Sequence, residues 1–242
     1  MNSATWLIFK RELGGYTRTL SGYIIVALAL FIDGILFNAL ALSQGEQRSA
    51  GVLAYFFFLT SGITMIASVF LSMRLLAEEK QTGTLVLLTS SPVRDWEIIL
   101  GKFFAAWVFL GIMMLLTAFM PALIMVNGKI SVGQVVVGYL GLMLLGGAAL
   151  ALGTLGSALA RSQVLAAIIT AVLVVGLILM WMVARVTEHP LNRIFEHLAL
   201  YHKHFTTFQV GTLHLRDVVY YLAVIYFSLF CATRVLEARR WR

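Results

Sequence analysis

The residues of this chain that could do chemistry are few and scattered. A carboxylate pair, Glu78-Glu79, opens a polar interruption running from Arg74 to Lys102. Asp33 lies inside an apolar run. A carboxylate at such a position costs about 2.5–3.5 kcal/mol on insertion scales, so Asp33 should face protein or water. A place in a translocation path is one expectation for it, and a neutral, hydrogen-bonded carboxyl or one reaching the nearer interface is the other. His189, His197, His202, His204 and His214, all the histidines of the chain, fall between Arg185 and Asp217. Imidazole suits copper and zinc, but His202-x-His204 is a sparse ligand set and no cysteine joins it, so a cap or a surface for an accessory protein is the expected role and no metal is assigned.

Other chemistry has no carrier. The phosphate-binding pattern G-x-x-x-x-G-K-[ST] does not occur, since Gly101-Lys102-Phe103 and Gly128-Lys129-Ile130 lack both the hydroxyl and the glycine-rich lead. Neither H-E-x-x-H nor G-x-S-x-G is present. The expectation is therefore no catalytic residue and no cofactor in this chain. Any ATP and magnesium used by the system would be held by another chain.

The elements that must position these residues follow from composition. Of 242 residues, 60% are hydrophobic and 12% charged, and the mean hydropathy is +0.91. A soluble domain of this length could not hide that much apolar surface. A bilayer core of roughly 30 Å takes about 20 apolar residues per helix. Six runs fit: 20–42, 52–77, 103–126, 132–160, 164–184 and 218–233. The expected fold is all-α, a single polytopic membrane domain over 1–242. No cleavable signal sequence is expected, because the first apolar run is too long for one and lies behind a charged stretch.

Residues 1–19 read as a helix lying in the membrane interface, with Trp6, Leu7, Leu13 and Tyr16 on its apolar side and Lys10, Arg11 and Arg18 toward headgroups. Gly14-Gly15 argues against its continuity. Residues 185–217 form a long outer loop, in which 187–198 can lie on the membrane as a helix. The net charge of +7 invites a nucleic-acid partner, but its distribution points to the bilayer. With the N-terminus inside, Lys10, Arg11, Arg18, Arg74, Lys80, Arg94, Lys102, Arg161, Arg234, Arg239, Arg240 and Arg242 are internal. Arg48, Lys129, Arg185, Arg193, Lys203 and Arg216 are external. Twelve against six is the positive-inside bias, and it puts both termini in the cytoplasm. Cys231, the single cysteine, can close no intramolecular disulfide.

The loop 78–102 is more than a turn. Span two is expected to run on into Glu78-Glu79-Lys80 and to end at Gly83, as helices commonly do at glycine. Thr84 restarts the chain, and Leu85, Val86, Leu87 and Leu88 make a short apolar helix outside the bilayer. Ser91 is expected to cap the next helix, with Pro92 at its first position and Val93 following. A structured, partly apolar element beside the membrane suits docking by a soluble partner. In span four, Ala149, Gly153 and Ser157 have small-xxx-small spacing, and packing on span three or five is expected from them.

The order E-E-x-x-x-G-T-x-x-x-L-x-x-S-P-V-x-x-x-E-x-x-x-G-K over 78–102 resembles the permeases of ABC-2 type transporters, above all the gliding-motility-associated permease family. The likeness extends to Lys10-Arg11-Glu12-Leu13, Tyr16 and Ser21-Gly22-Tyr23-Ile24, to Ser157 and Arg161–Ala167, and to His204-Phe205, Phe208, Gly211, Asp217–Tyr221 and Leu236–Trp241. Leu20-Ser21-Gly22 replaces an expected Ser-Pro, and Ala160 and Ser162 replace expected Thr and Asn. The resemblance implies the membrane subunit of a bacterial inner-membrane ABC transporter, paired with a second permease and two ATPase subunits. It makes the stretch around Gly83–Thr89 a coupling helix, with Glu78 and Glu79 pairing to basic residues of the interfacial helix or of the ATPase. Export of a substrate is the first function it implies. Mechanotransmission to a periplasmic or membrane partner is the second, and a plain membrane scaffold without an ATPase is the reading that competes with both.

Overall fold

The computed structural model describes residues 3–41, 49–84, 93–188 and 191–240. Leu85, Leu87, Leu88, Ser91 and Pro92 of the expected coupling site, and His189, lie outside the described residues. The described residues are helical and include no strand. The helices are α1 (Ser3–Arg18), α2 (Leu20–Leu36), α3 (Ser49–Ser72), α4 (Ala77–Gln81), α5 (Asp95–Leu116), α6 (Phe119–Asn127), α7 (Val132–Leu159), α8 (Gln163–Val186), α9 (Leu191–Leu198), α10 (Phe205–Gln209) and α11 (Leu215–Arg240). Six helical stretches among them are long and apolar enough to cross a membrane. Apart from its ends, the backbone polar groups of a helix pair within the segment, which is why helices serve in hydrocarbon. The chain is an all-α, multi-pass membrane protein.

α7 is the central span. It packs against α3, α11, α8 and α5, and Leu145, Ala148, Ala149, Leu150 and Ala151 on it are wholly buried. Its small residues admit neighbours closely: a Cβ at Gly153 would meet Ser72 Oγ of α3 at 2.0 Å and Thr170 Cγ2 of α8 at 3.1 Å. The small-xxx-small face therefore packs on span five, one of the two spans expected, and on span two as well.

Several expected boundaries move for local reasons. Span two does not run unbroken into Glu78: α3 ends at Ser72, Met73–Leu76 form a turn, and α4 follows. Span three starts at Asp95, ahead of the expected 103, and breaks between α5 and α6. Pro121 accounts for the break, since it lacks an N–H and its ring crowds the carbonyl of residue 117. Thr117 O accepts instead from Met120 N at 3.0 Å. α11 overruns the expected 218–233 at both ends.

α1 is continuous through Gly14-Gly15, so those glycines do not interrupt it. Its buried stripe is Thr5, Ile8 and Tyr16, packed toward α5, while Trp6 and Leu7 are exposed. The expected apolar side is divided: Tyr16 and Leu13 meet the protein, while Trp6 and Leu7 are left for lipid. Gly101 permits this docking, because a Cβ there would lie 2.9 Å from Ile8 Cγ2 and 3.1 Å from Thr5 O.

Candidate functional site

The site forms where α1, α4 and α5 meet. α4 is short and polar, AEEKQ, and ends as expected: Thr82 is its C-cap residue and Gly83 has φ +74°. That left-handed conformation costs glycine nothing and a β-branched residue much. Thr84 stays exposed, with its hydroxyl 2.9 Å from that of Thr82. Val93 is half-buried and lies outside the helix. α5 begins only at Asp95, where Glu97 Oε2 accepts the Arg94 N–H at 3.1 Å. The helix into span three is thus closed at its start by Glu97, and the Ser91-Pro92 start expected for it is corrected.

The two glutamates have different partners. Glu78 takes Arg74 at 2.8 Å, one turn back on the same stretch, and Arg74 also donates to Ser21 of α2. Glu79 reaches across. Its Oε1 lies 2.9 Å from Lys102 Nζ of α5 and 3.2 Å from an Arg11 nitrogen of α1. Lys102 in turn lies 3.0 Å from Glu12 Oε1, which Arg11 holds at 2.8 Å. Three helices are thereby tied through one ammonium group that is only 3% exposed. A buried charge is tolerable only when paired in this way. Burial alone would raise the Glu12 carboxyl, but Lys102 and Arg11 together more than offset it and hold it below the ordinary value. Its hydrogen bond to Glu12 raises Arg11 further. Burial pushes the Tyr16 phenol up, so it stays neutral and donates to Leu71 O at 3.2 Å. These groups line a cleft of about 350 Å³ between α1 and the α3–α4 joint, with Thr19, Thr82 and Thr84 at its edges.

On its other side α4 grips the end of α7. Ser157 Oγ accepts from Leu76 N at 3.0 Å and Ala77 N at 2.9 Å, and donates to Met73 O at 3.4 Å. Lys80 Nζ donates to Ser157 O at 3.0 Å, to Ala160 O at 3.1 Å and to Ala158 O. The last carbonyls of a helix have no intrahelical donor and carry its negative dipole end, so an ammonium there is doubly suited.

A family profile described as ABC-2 family transporter protein matches residues 8–225. The chain belongs to the ABC-2 transporter family. It is a membrane component of an ABC transporter, the permease and not the ATPase, and permeases of this family generally dimerise and work with an ABC ATPase. No curated protein matches its sequence.

Two further parts of this permease bear on the sequence expectations. Asp33 is 3% exposed and accepts from Thr60 Oγ1 of α3 at 3.0 Å. At the opposite end of the bundle the histidines separate. His202 stacks on Trp181 with ring centroids 4.8 Å apart. His204 is buried, 2.7 Å from Asp217 Oδ1 through Nδ1 and 3.2 Å from His197 O through Nε2. Tyr220 stacks on its ring at 3.9 Å. No group of three or more metal-binding side chains occurs among the described residues. α9 is amphipathic and unburied, with Leu191, Ile194 and Leu198 exposed along one side, as expected for a helix on the membrane. His204 corrects the idea of a wholly superficial histidine cap.

Lys102, Glu12 and Lys80 escaped the sequence reading as interacting residues. The signal for Lys102 was available: it is a lone cation in the apolar run Ile98–Phe109, and an ionisable residue in such a run is by default a functional one with a partner to be named.

Proposed function

We propose that this permease couples ATP hydrolysis by two copies of a separate ATPase to export of a substrate across the bacterial inner membrane, acting as a pair with a second copy or a related permease. ATP and magnesium are the ATPase's ligands. The α4 end and both chain termini face the cytoplasm, on the twelve-to-six basic asymmetry. The observation that carries the reading is the Glu79–Lys102–Glu12 cluster. A push on the loop after α4 reaches span three, because Glu79 of α4 holds the buried ammonium of Lys102 on α5.

Docking is assigned to Gly83, Thr84, Leu85, Leu87, Leu88, Ser91, Pro92 and Val93, with Glu78 and Glu79 behind them. The test is co-purification with the ATPase and ATP turnover of the reconstituted complex. Leu88→Asp should abolish both, since an unpaired carboxylate costs several kcal/mol at an apolar interface. Full binding and full turnover by that variant would remove the loop from the mechanism. Turnover without movement of any substrate would select mechanotransmission to an accessory partner, the role the gliding-motility likeness suggests. Labelling of a cysteine at exposed Val210, but not at Gln81, by an external reagent checks the orientation.

A further inference from the structure

α4 has two attachments of opposite character. Toward α7 it is held by buried, direct hydrogen bonds. Leu76, Ala77 and Ser157 are wholly buried, and Ser157 Oγ is the acceptor for both N–H groups that the turn Met73–Leu76 frees from the α3 ladder. Lys80 closes the same contact by holding the carbonyls of Ser157, Ala158 and Ala160. The grip extends to the start of α8, where Gln81 Oε1 accepts from Gln163 N at 3.4 Å. Toward α1 the direct attachment is the Arg11–Glu79 pair at the rim of an open cleft of about 350 Å³, while the sealed Lys102 ties Glu79 to α5. Arg11 there is 58% exposed. Ion pairs at a wetted edge exchange partners at little cost, whereas a buried N–H that loses its acceptor costs the full desolvation of that group.

We propose that α4 moves as one body with the α7–α8 hairpin, hinged to α3 at Met73–Leu76, and that the α1–α4 cleft is the place that opens and closes during the ATP cycle. Ser157 and Lys80 are the positioning residues of this joint. The motion then reaches the centre of the bundle directly, because α7 is the span on which α3, α5, α8 and α11 all pack. The assignment rests on the coupling role proposed above and specifies which span receives the stroke. Ion pairs that let go and re-form, next to hydrogen bonds that do not, give the loop one free side and one fixed side. Bistable contacts of this kind are how small displacements become discrete movements.

The experiment uses the full chain in complex with its ATPase in lipid nanodiscs, with Cys231 replaced by serine and spin labels placed in pairs. Labels at Thr82 and Arg161 report on the α4–α7/α8 body, and labels at Thr82 and Arg18 report across the cleft. Distances are measured without nucleotide and with ATP plus vanadate. The expected result is an unchanged 82–161 distance and a shifted 82–18 distance. In parallel, Ser157→Ala and Lys80→Met should retain ATPase binding but lower permease-stimulated ATP turnover about tenfold, while Lys80→Arg restores it. A shifted 82–161 distance with a fixed 82–18 distance, or full stimulated turnover in both Ser157→Ala and Lys80→Met, overturns the joint while leaving the coupling role intact. Failure of the wild-type chain to bind the ATPase overturns the coupling role and the joint with it.

Discussion

The two ends of this permease use the same kinds of side chain for opposite purposes. At the α4 end, Arg11, Glu12, Arg74, Glu78, Glu79 and Lys102 crowd a cleft in which most of the carboxylates and guanidinium groups keep some contact with solvent. At the α9 end, His204 and Asp217 are sealed, at 2% and 1% side-chain exposure. Tyr220 covers the imidazole ring and Thr207 donates to Asp217 Oδ2 at 2.9 Å. Tyr221 and Tyr220 donate from α11 to Leu200 O and Leu198 O, which fastens the chain between α9 and α10 to the last span. Ionic contacts that keep water can rearrange, and those without water hold a fixed geometry. The motion proposed above belongs with the first end, and bracing with the second.

The largest effect should come from the braced end. His204→Ala removes one partner from a buried pair and leaves Asp217 with Thr207, so it should cost about 3 kcal/mol in denaturant titrations in micelles. His202→Ala, which loses only a ring stack, should cost about 0.5–1 kcal/mol. Equal effects would break the distinction between a braced interior and a superficial cap. Replacing both histidines together should therefore cost stability that the loss of a surface cap would not.

Lys102→Met should cost less, about 2 kcal/mol by the same titration, because Glu12 and Glu79 are partly hydrated and keep Arg11. A loss as large as that of His204→Ala would mean that the α4 end is braced as well. The tyrosine near the sealed pair gives a smaller and more local effect. Tyr201 accepts from Gln209 Nε2 at 2.6 Å and from Ser61 Oγ at 3.3 Å, so Tyr201→Phe should cost about 1 kcal/mol. Burial pushes the Tyr201 phenol up to about 12. A raised folded value means that its contribution is complete below the ordinary value of 10 and fades as pH rises from 10 toward 12.

Glu12 gives the smallest and oppositely signed effect. Its folded value is lowered, so its contribution is present above the ordinary value of 4.5 and is lost as pH falls through the depressed folded value. Thermal midpoints measured from pH 7 down to pH 4 should therefore decline less for Glu12→Gln than for the wild type. An identical decline would show that the cleft network contributes nothing to folding.

Much of the architecture was legible in the chain. Long apolar runs can satisfy their backbone in hydrocarbon only as helices, which made six spans the reading. Gly83 could be placed at a helix end because positive φ has few other takers. The face of α1 was not legible: membrane and protein both accept residues such as Trp6, Leu7, Ile8 and Tyr16, and only the approach of Gly101 to Ile8 decided which side met α5. The break at Met73–Leu76 was hidden as well, because its cause, Ser157, lies some eighty positions away.

By itself, the sequence determined that this protein is a membrane-embedded helical bundle with a polar, partly apolar element between spans two and three, because hydropathy and helix-end chemistry are local properties. Only the tertiary structure decided that Glu79, Lys102 and Glu12 share one site, that Asp33 is hydrogen-bonded by Thr60, and that His204 belongs with Asp217 and not with His202. Each of those pairs joins different elements, and a charge chooses its partner by distance in space once water has been removed.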